Sequence, residues 1–199
     1  MATPIQPLDF YDGPMVWIDC EMTGLNPRKD KILEIAVLIT DGNLKIVDEG
    51  LEFVIKTEKS VLERNRMDTW CTRQHGNSGL TLACLKSPHT IEDVSKAVLA
   101  YIKKWIPKQR VGVLAGNSVH ADRSFLVEEM PGVIDWLHYR IIDVSSVKVQ
   151  CDLMSMLVPS TMFLGNISSM VSSPWAPSRW REFSSVKTIV KLCHQRSFV

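Results

Sequence analysis

Apolar runs of strand formers separated by polar turns dominate the first part of the chain. Met15–Asp19 reads as a strand, Asn26–Asp30 as a polar turn, and Ile32–Thr40 as a second, β-branched strand with Glu34 inside it. Asp41-Gly42-Asn43 is a hairpin signal and Leu44–Ile55 supplies the returning strand, so an antiparallel meander opens the fold. Ser60–Gly79 is polar and irregular. Then the period changes. Thr90 with Asp93 predicts a helix start, Ile91, Val94, Val98, Tyr101, Ile102 and Trp105 recur at helical spacing, and Pro107 ends the helix. Val111–Ala115 is a short strand and Gly116-Asn117-Ser118 a turn. Asp122–Met130 is a helix with Phe125 and Leu126 inward, closed by Pro131-Gly132. Arg140–Val144 is a strand, and Ser145 begins another helix. Alternating strands and helices after a meander predict an α/β domain with a mixed sheet over residues 14–148.

At residue 149 the pattern fails. Residues 149–199 hold ten serines and only two acids, Asp152 and Glu182, and Pro159, Pro174 and Pro177 break any long helix. This stretch reads as an atypical, irregular tail.

Composition narrows the function. A chain of 199 residues, 45% hydrophobic and 23% charged, is that of a globular domain with a sizeable core. A net charge of +1 provides no field for a long nucleic acid and leaves room for a small or short ligand. Five cysteines without a C-x-x-C pair fit a reduced, intracellular compartment, cytoplasmic or mitochondrial. No apolar run reaches the roughly 18 residues of a membrane span. The first ten residues, with Asp9 and no Arg, do not read as a leader.

Three stretches carry candidate chemistry. In Val16–Leu25 a strand ends in Asp19-x-Glu21. Residues two apart on a strand share a face, so both carboxylates project together and repel unless a cation lies between them. Oxygen ligands of this kind suit Mg²⁺ or Mn²⁺. In Ala115–Leu126, Asp122 opens a helix, where the macrodipole stabilises its charge or it serves as an ordinary cap, and Ser118 and His120 lie just outside it. In Leu137–Lys148, Arg140 is a bidentate phosphate partner by type, and Ser145 and Ser146 offer hydroxyls and free amides at a helix start.

Together, Trp-Ile-Asp-Cys-Glu-Met-Thr-Gly-Leu, Ala-Gly-Asn-Ser-Val-His-x-Asp-Arg-x-Phe-Leu and His-Tyr-Arg-Ile-Ile-Asp-Val-Ser resemble oligoribonuclease, the small-substrate branch of the DEDD 3′-to-5′ exonuclease superfamily. The resemblance implies a ribonuclease H-like mixed sheet with flanking helices, a homodimer, two ions of Mg²⁺ or Mn²⁺, and removal of nucleotides from very short RNA, dinucleotides above all. It maps metal-binding acids onto Asp19, Glu21 and Asp122 and a base-wedging leucine onto Leu25. It maps base and substrate contacts onto Trp70 and His75, a 5′-phosphate cap onto Ser118, Arg140, Ser145 and Ser146, and a tyrosine lent across the dimer onto Tyr139. A cap on one terminal phosphate is how a nearly neutral protein binds RNA: it measures length and does not follow a backbone.

The family pattern continues after Val-Lys with a helix bearing His-x-x-x-x-Asp, the general base and fourth acid. Here Val147-Lys148 runs on as Val149-Gln150-Cys151-Asp152. His194 is the one later histidine, and Val199 stands five positions beyond it. The expectation is a domain without that helix and with lowered activity. The change of character after Lys148 is consistent with a shifted reading frame or a retained intron. Two other readings stay open: a non-catalytic binder of short RNA or nucleotides, and a misspliced product that acts only by pairing with full-length protomers.

Overall fold

The computed structural model describes residues 6–62, 67 and 69–149. The atypical tail and the expected loss of its helix lie outside these residues.

Five strands form one mixed sheet: β1 (Met15–Met22), β2 (Ile32–Thr40), β3 (Leu51–Val54), β4 (Val113–Gly116) and β5 (Ile141–Asp143), in the order β3-β2-β1-β4-β5. β1, β2 and β3 pair antiparallel, while β4 runs parallel to β1 and β5 parallel to β4. The predicted meander and mixed sheet are present. β1 runs three residues past Asp19, so Asp19 and Glu21 both sit on the strand. The returning strand is shorter than Leu44–Ile55. Ile46 makes only an isolated bridge to Thr40, and the chain turns at Gly50, whose φ is +82°, before β3 begins.

Alternation along β1 separates the two faces. Val16, Ile18 and Cys20 point into the main core with Ile35, Val37 and Ile39 of β2. That core is closed by α4 (Ile91–Trp105), through Val94, Val98, Tyr101, Ile102 and Trp105, and by Phe125 and Leu126 of α5 (Val119–Glu129). Thr90 caps α4 as predicted: its hydroxyl oxygen accepts from the Asp93 amide at 3.2 Å and its O–H donates to the Asp93 carboxylate at 2.8 Å. Met15, Trp17, Asp19 and Glu21 occupy the opposite face. There the apolar pair packs with Ala115 and gives way to the two acids at the strand's carboxyl end.

The segment Ser60–Gly79, read as irregular, is helical over most of its described length, in α1 (Lys59–Leu62) and α2 (Thr69–Ser78), and α3 (Leu80–Lys86) follows directly. The few buried apolar residues of this stretch, Leu62, Met67, Cys71, Leu80 and Cys84, meet Leu33, which the bulge at the end of the β1–β2 ladder turns toward them. So few apolar positions leave no periodic stripe in the sequence. Pro131 opens a further helix, α6 (Pro131–Trp136), where the sequence suggested only a stop; proline suits a first helical turn. Residues 144–149 are helical, as expected.

Candidate active site at the carboxyl ends of the parallel strands

Because β1, β4 and β5 are parallel neighbours, their carboxyl ends lie side by side, the usual place for a site in an open α/β sheet. Gly116 ends β4. A Cβ there would meet the Ile18 carbonyl at 2.9 Å and the Val119 side chain at 2.9 Å, so only glycine lets the start of α5 approach β1 this closely.

That approach determines the role of Asp122. The helix begins at Val119, earlier than the sequence suggested, and Asp122 lies within its first turn and does not cap it. Its Oδ1 accepts the Cys20 amide at 2.9 Å, joining α5 to β1 across a long stretch of chain. Asp122 is only 6% exposed. Burial, with the like charge of Asp19 adding to it, pushes its carboxyl up to about 7, against the pull of the Cys20 N–H. The buried Cys20 thiol is raised by burial and then by Asp122, Asp19, Glu21 and Glu129, so all four carboxylates act within electrostatic range of one atom.

Among the described residues, no three His, Cys, Asp or Glu side chains stand close enough to cage a metal by themselves. The set is instead open, all-oxygen and negatively charged. Mg²⁺ is commonly held in this way, by one or two carboxylates together with waters and substrate phosphate. A cation here would offset the burial and the like charge of Asp19 that raise the Asp122 carboxyl. Asp19, Glu21 and Asp122 therefore suit a divalent ion.

Of the residues assigned to substrate, Leu25 and His75 follow or meet the end of β1 and Ser118 and Ser145 follow β4 and β5, whereas Tyr139 and Arg140 precede β5, at its amino end. Leu25 is 85% exposed on the loop after β1. That loop is closed by Asp30, whose carboxylate accepts from the Thr23 hydroxyl at 3.1 Å and the Asn26 amide at 2.8 Å. A Cβ on Gly24 would come within 2.6 Å of the same carboxylate. Trp70 is 58% exposed on α2. His75 is buried, and its Nε2 lies 2.9 Å from the Met22 carbonyl. A carbonyl can only accept, so Nε2 carries a proton and donates it. His75 thus ties α2 to the end of β1 as well as standing beside it.

On the other flank, Tyr139 is exposed, stacks on His138 at 4.5 Å, and has the Arg140 guanidinium 5.2 Å from its ring. Ser118, at the entry to α5, adopts a left-handed φ of 55°. Ser118 and Ser145 meet at a residue that had no role in the sequence reading, Asp143. Its Oδ1 accepts from the Ser118 amide at 2.9 Å, the Ser145 amide at 3.0 Å and the Ser145 hydroxyl at 2.6 Å, and its Oδ2 lies 2.9 Å from His120 Nδ1. Burial alone would raise this carboxyl. The donors from His120, Ser145 and Ser118 outweigh it and hold the group down at about 2. An Asp two positions before a Ser at a strand-to-helix junction is an N-cap signal that could have drawn attention to it. Asp30 and Glu129 were missed in the same way.

The sheet order and the helices that flank it are those of the ribonuclease H-like exonuclease fold. In comparisons with known proteins, residues 16–159 match the Exonuclease family RNase_T. A Schizosaccharomyces pombe protein named as a probable oligoribonuclease is 56% identical over 135 residues, 68% of this chain and 53% of its own. The oligoribonuclease of Halorhodospira halophila is 44% identical over 141 residues, 71% of this chain and 75% of its own. A crystal structure of the E. coli ExoI–ssDNA complex in its metal-free form shares the fold, with a TM-score of 0.54 at 14% identity, covering 70% of this chain and 30% of that one. The chain belongs to the exonuclease family, in its oligoribonuclease branch. It spans about half the length of the fungal relatives it matches. Dependence on divalent metal is general to this family and fold.

Proposed function

We propose that the chain is a 3′-to-5′ exoribonuclease of the oligoribonuclease type, acting on very short RNA, dinucleotides foremost, and releasing mononucleotides. The observation that carries this reading is the bond from the Cys20 amide to Asp122, which brings the α5 carboxylate onto β1 beside Asp19. Asp19, Glu21 and Asp122 would hold two ions of Mg²⁺ or Mn²⁺. When bound, such ions activate a water and neutralise charge on the scissile phosphate and the leaving oxygen. Leu25 and Trp70, both exposed, flank the bases. Ser118, Arg140, Ser145 and Ser146 take the 5′ phosphate, and Tyr139 contributes from a second copy in a homodimer. Free thiols at Cys20, Cys71 and Cys84 agree with a reducing, intracellular setting.

Two measurements test this. Mononucleotide release from a dinucleotide with Mg²⁺ or Mn²⁺ is expected to be slow but measurable and to vanish in Asp122→Asn. Binding without any release would favour the non-catalytic reading. Arg140→Ala is expected to weaken binding of 5′-phosphorylated RNA more than RNA ending in a 5′ hydroxyl, because the charge-assisted bond exists only with the phosphate. Equal losses on both ligands would count against the cap. Sedimentation tests the homodimer directly.

A further inference from the structure

We propose that Asp143 is the positioning residue of the 5′-phosphate cap: one carboxylate, on a half-buried residue, that sets the distance between Ser118 and Ser145. This rests on the cap assigned above and adds a residue that does not itself touch the phosphate.

The two serines come from different elements. Ser118 leads into α5, and Ser145 lies in the first turn of the helix over residues 144–149. The β4–β5 ladder brings Gly116 opposite Asp143 and there ends. Beyond it, the Asp143 side chain continues the connection. Its Oδ1 accepts the Ser118 amide at 2.9 Å and both the amide and hydroxyl of Ser145 at 3.0 and 2.6 Å. Ser118 holds a left-handed conformation with no side-chain cap bond of its own. A non-glycine residue persists there only where its surroundings fix it, and the bond from its amide to Asp143 does so.

A carboxylate beside a phosphate site would ordinarily repel the ligand. Here its charge is met by three donors on one oxygen and by His120 on the other, and the side chain is 8% exposed. It acts as an acceptor hub that ties the two segments to one point; the Ser118 and Ser145 amides and the Ser145 hydroxyl are spent on it, so the phosphate is left to Arg140, Ser146 and the Ser118 hydroxyl.

The test uses the full chain in EDTA, so that turnover does not obscure binding, and a dinucleotide with and without its 5′ phosphate. The readout is the ratio of the two affinities. Asp143→Ala is expected to lower that ratio on the order of tenfold, as loss of a charged hydrogen-bond hub implies. Asp143→Asn keeps one carbonyl oxygen for the three donors and is expected to stay within about threefold of the parent. A merely structural role would weaken both ligands alike and leave the ratio unmoved, which overturns the proposal. Arg140→Ala separates the two levels. If it abolishes the preference while Asp143→Ala keeps it, the positioning role is wrong and the cap stands. If neither changes the preference, the cap itself is wrong and this inference falls with it. Should Asp143→Ala fail to fold, amide exchange in the parent chain decides the point. Slow exchange at Ser118 and Ser145 is expected, and free exchange at either amide overturns the arrangement.

Discussion

Asp122 and Asp143 lie at the same end of the sheet, and their surroundings push them in opposite directions. Asp143 meets four donors and stays charged; Asp122 meets one amide, burial and the charge of Asp19, and titrates near 7. For Asp122 the folded value is above the unfolded one, about 3.9 for a free aspartate. The folded state therefore binds the extra proton between those values, and stability without metal falls as pH rises from about 4 through about 7. The melting temperature in EDTA is expected to be higher at pH 5 than at pH 8. Asp122→Asn should flatten that slope and stabilise the chain at pH 8. Added Mg²⁺ should raise the melting temperature more at pH 8 than at pH 5, since the ion competes with the proton. Identical pH profiles for parent and Asp122→Asn would refute the assigned titration.

Among the elements, the loop after β1 controls what Leu25 can do. Thr23, Asn26 and Asp30 close it from within. From outside, Glu129 of α5 anchors its base, with Lys31 Nζ at 3.3 Å and the Ile32 amide at 3.4 Å. The helix that delivers Asp122 thus also steadies the loop that presents the leucine. Asp30→Ala removes two accepted bonds and should destabilise the chain by about 1–2 kcal/mol in a urea melt. It should also weaken dinucleotide binding severalfold, because Leu25 loses its fixed orientation. Gly24→Ala should behave alike, since its Cβ would displace the Asp30 carboxylate. If Leu25→Ala impairs binding and Asp30→Ala does not, the loop is not what holds the leucine in place.

At the scale of the whole molecule, three parallel strand ends, an acid-lined face and a nearly neutral surface suit a substrate held by its ends. The described domain carries Asp19, Glu21 and Asp122, the three acids proposed above to hold metal. Residues 149–199 contain no His-x-x-x-x-Asp. We therefore predict dinucleotide hydrolysis at least about 10²-fold slower than by a relative bearing that helix, the lower range for a lost general base. Higher pH should partly restore the rate as hydroxide replaces the base, and grafting the helix after Lys148 should restore it further. Turnover at family-like rates with an ordinary pH profile would mean that another group, such as His194, serves as the base.

Local chemistry was enough for much of this protein. The meander, the capped α4 and the alternation that puts Asp19 beside Glu21 all follow from periods and turn residues that act over a few positions. The three motifs were legible because their residue types are chemically specific and closely spaced. Tertiary structure decided what depends on distant partners. The helices between residues 59 and 86 form because a handful of buried side chains meet Leu33, a contact with no periodic trace in the sequence. Asp122 reads as a possible helix cap until the glycine at 116 lets α5 close on β1 and turns its carboxylate to the Cys20 amide. Asp143 reads as an ordinary strand residue until parallel pairing of β4 and β5 brings Ser118 within reach of it. In each case the deciding interaction joins atoms far apart in the chain, and burial gives it its strength by removing water as the competing partner.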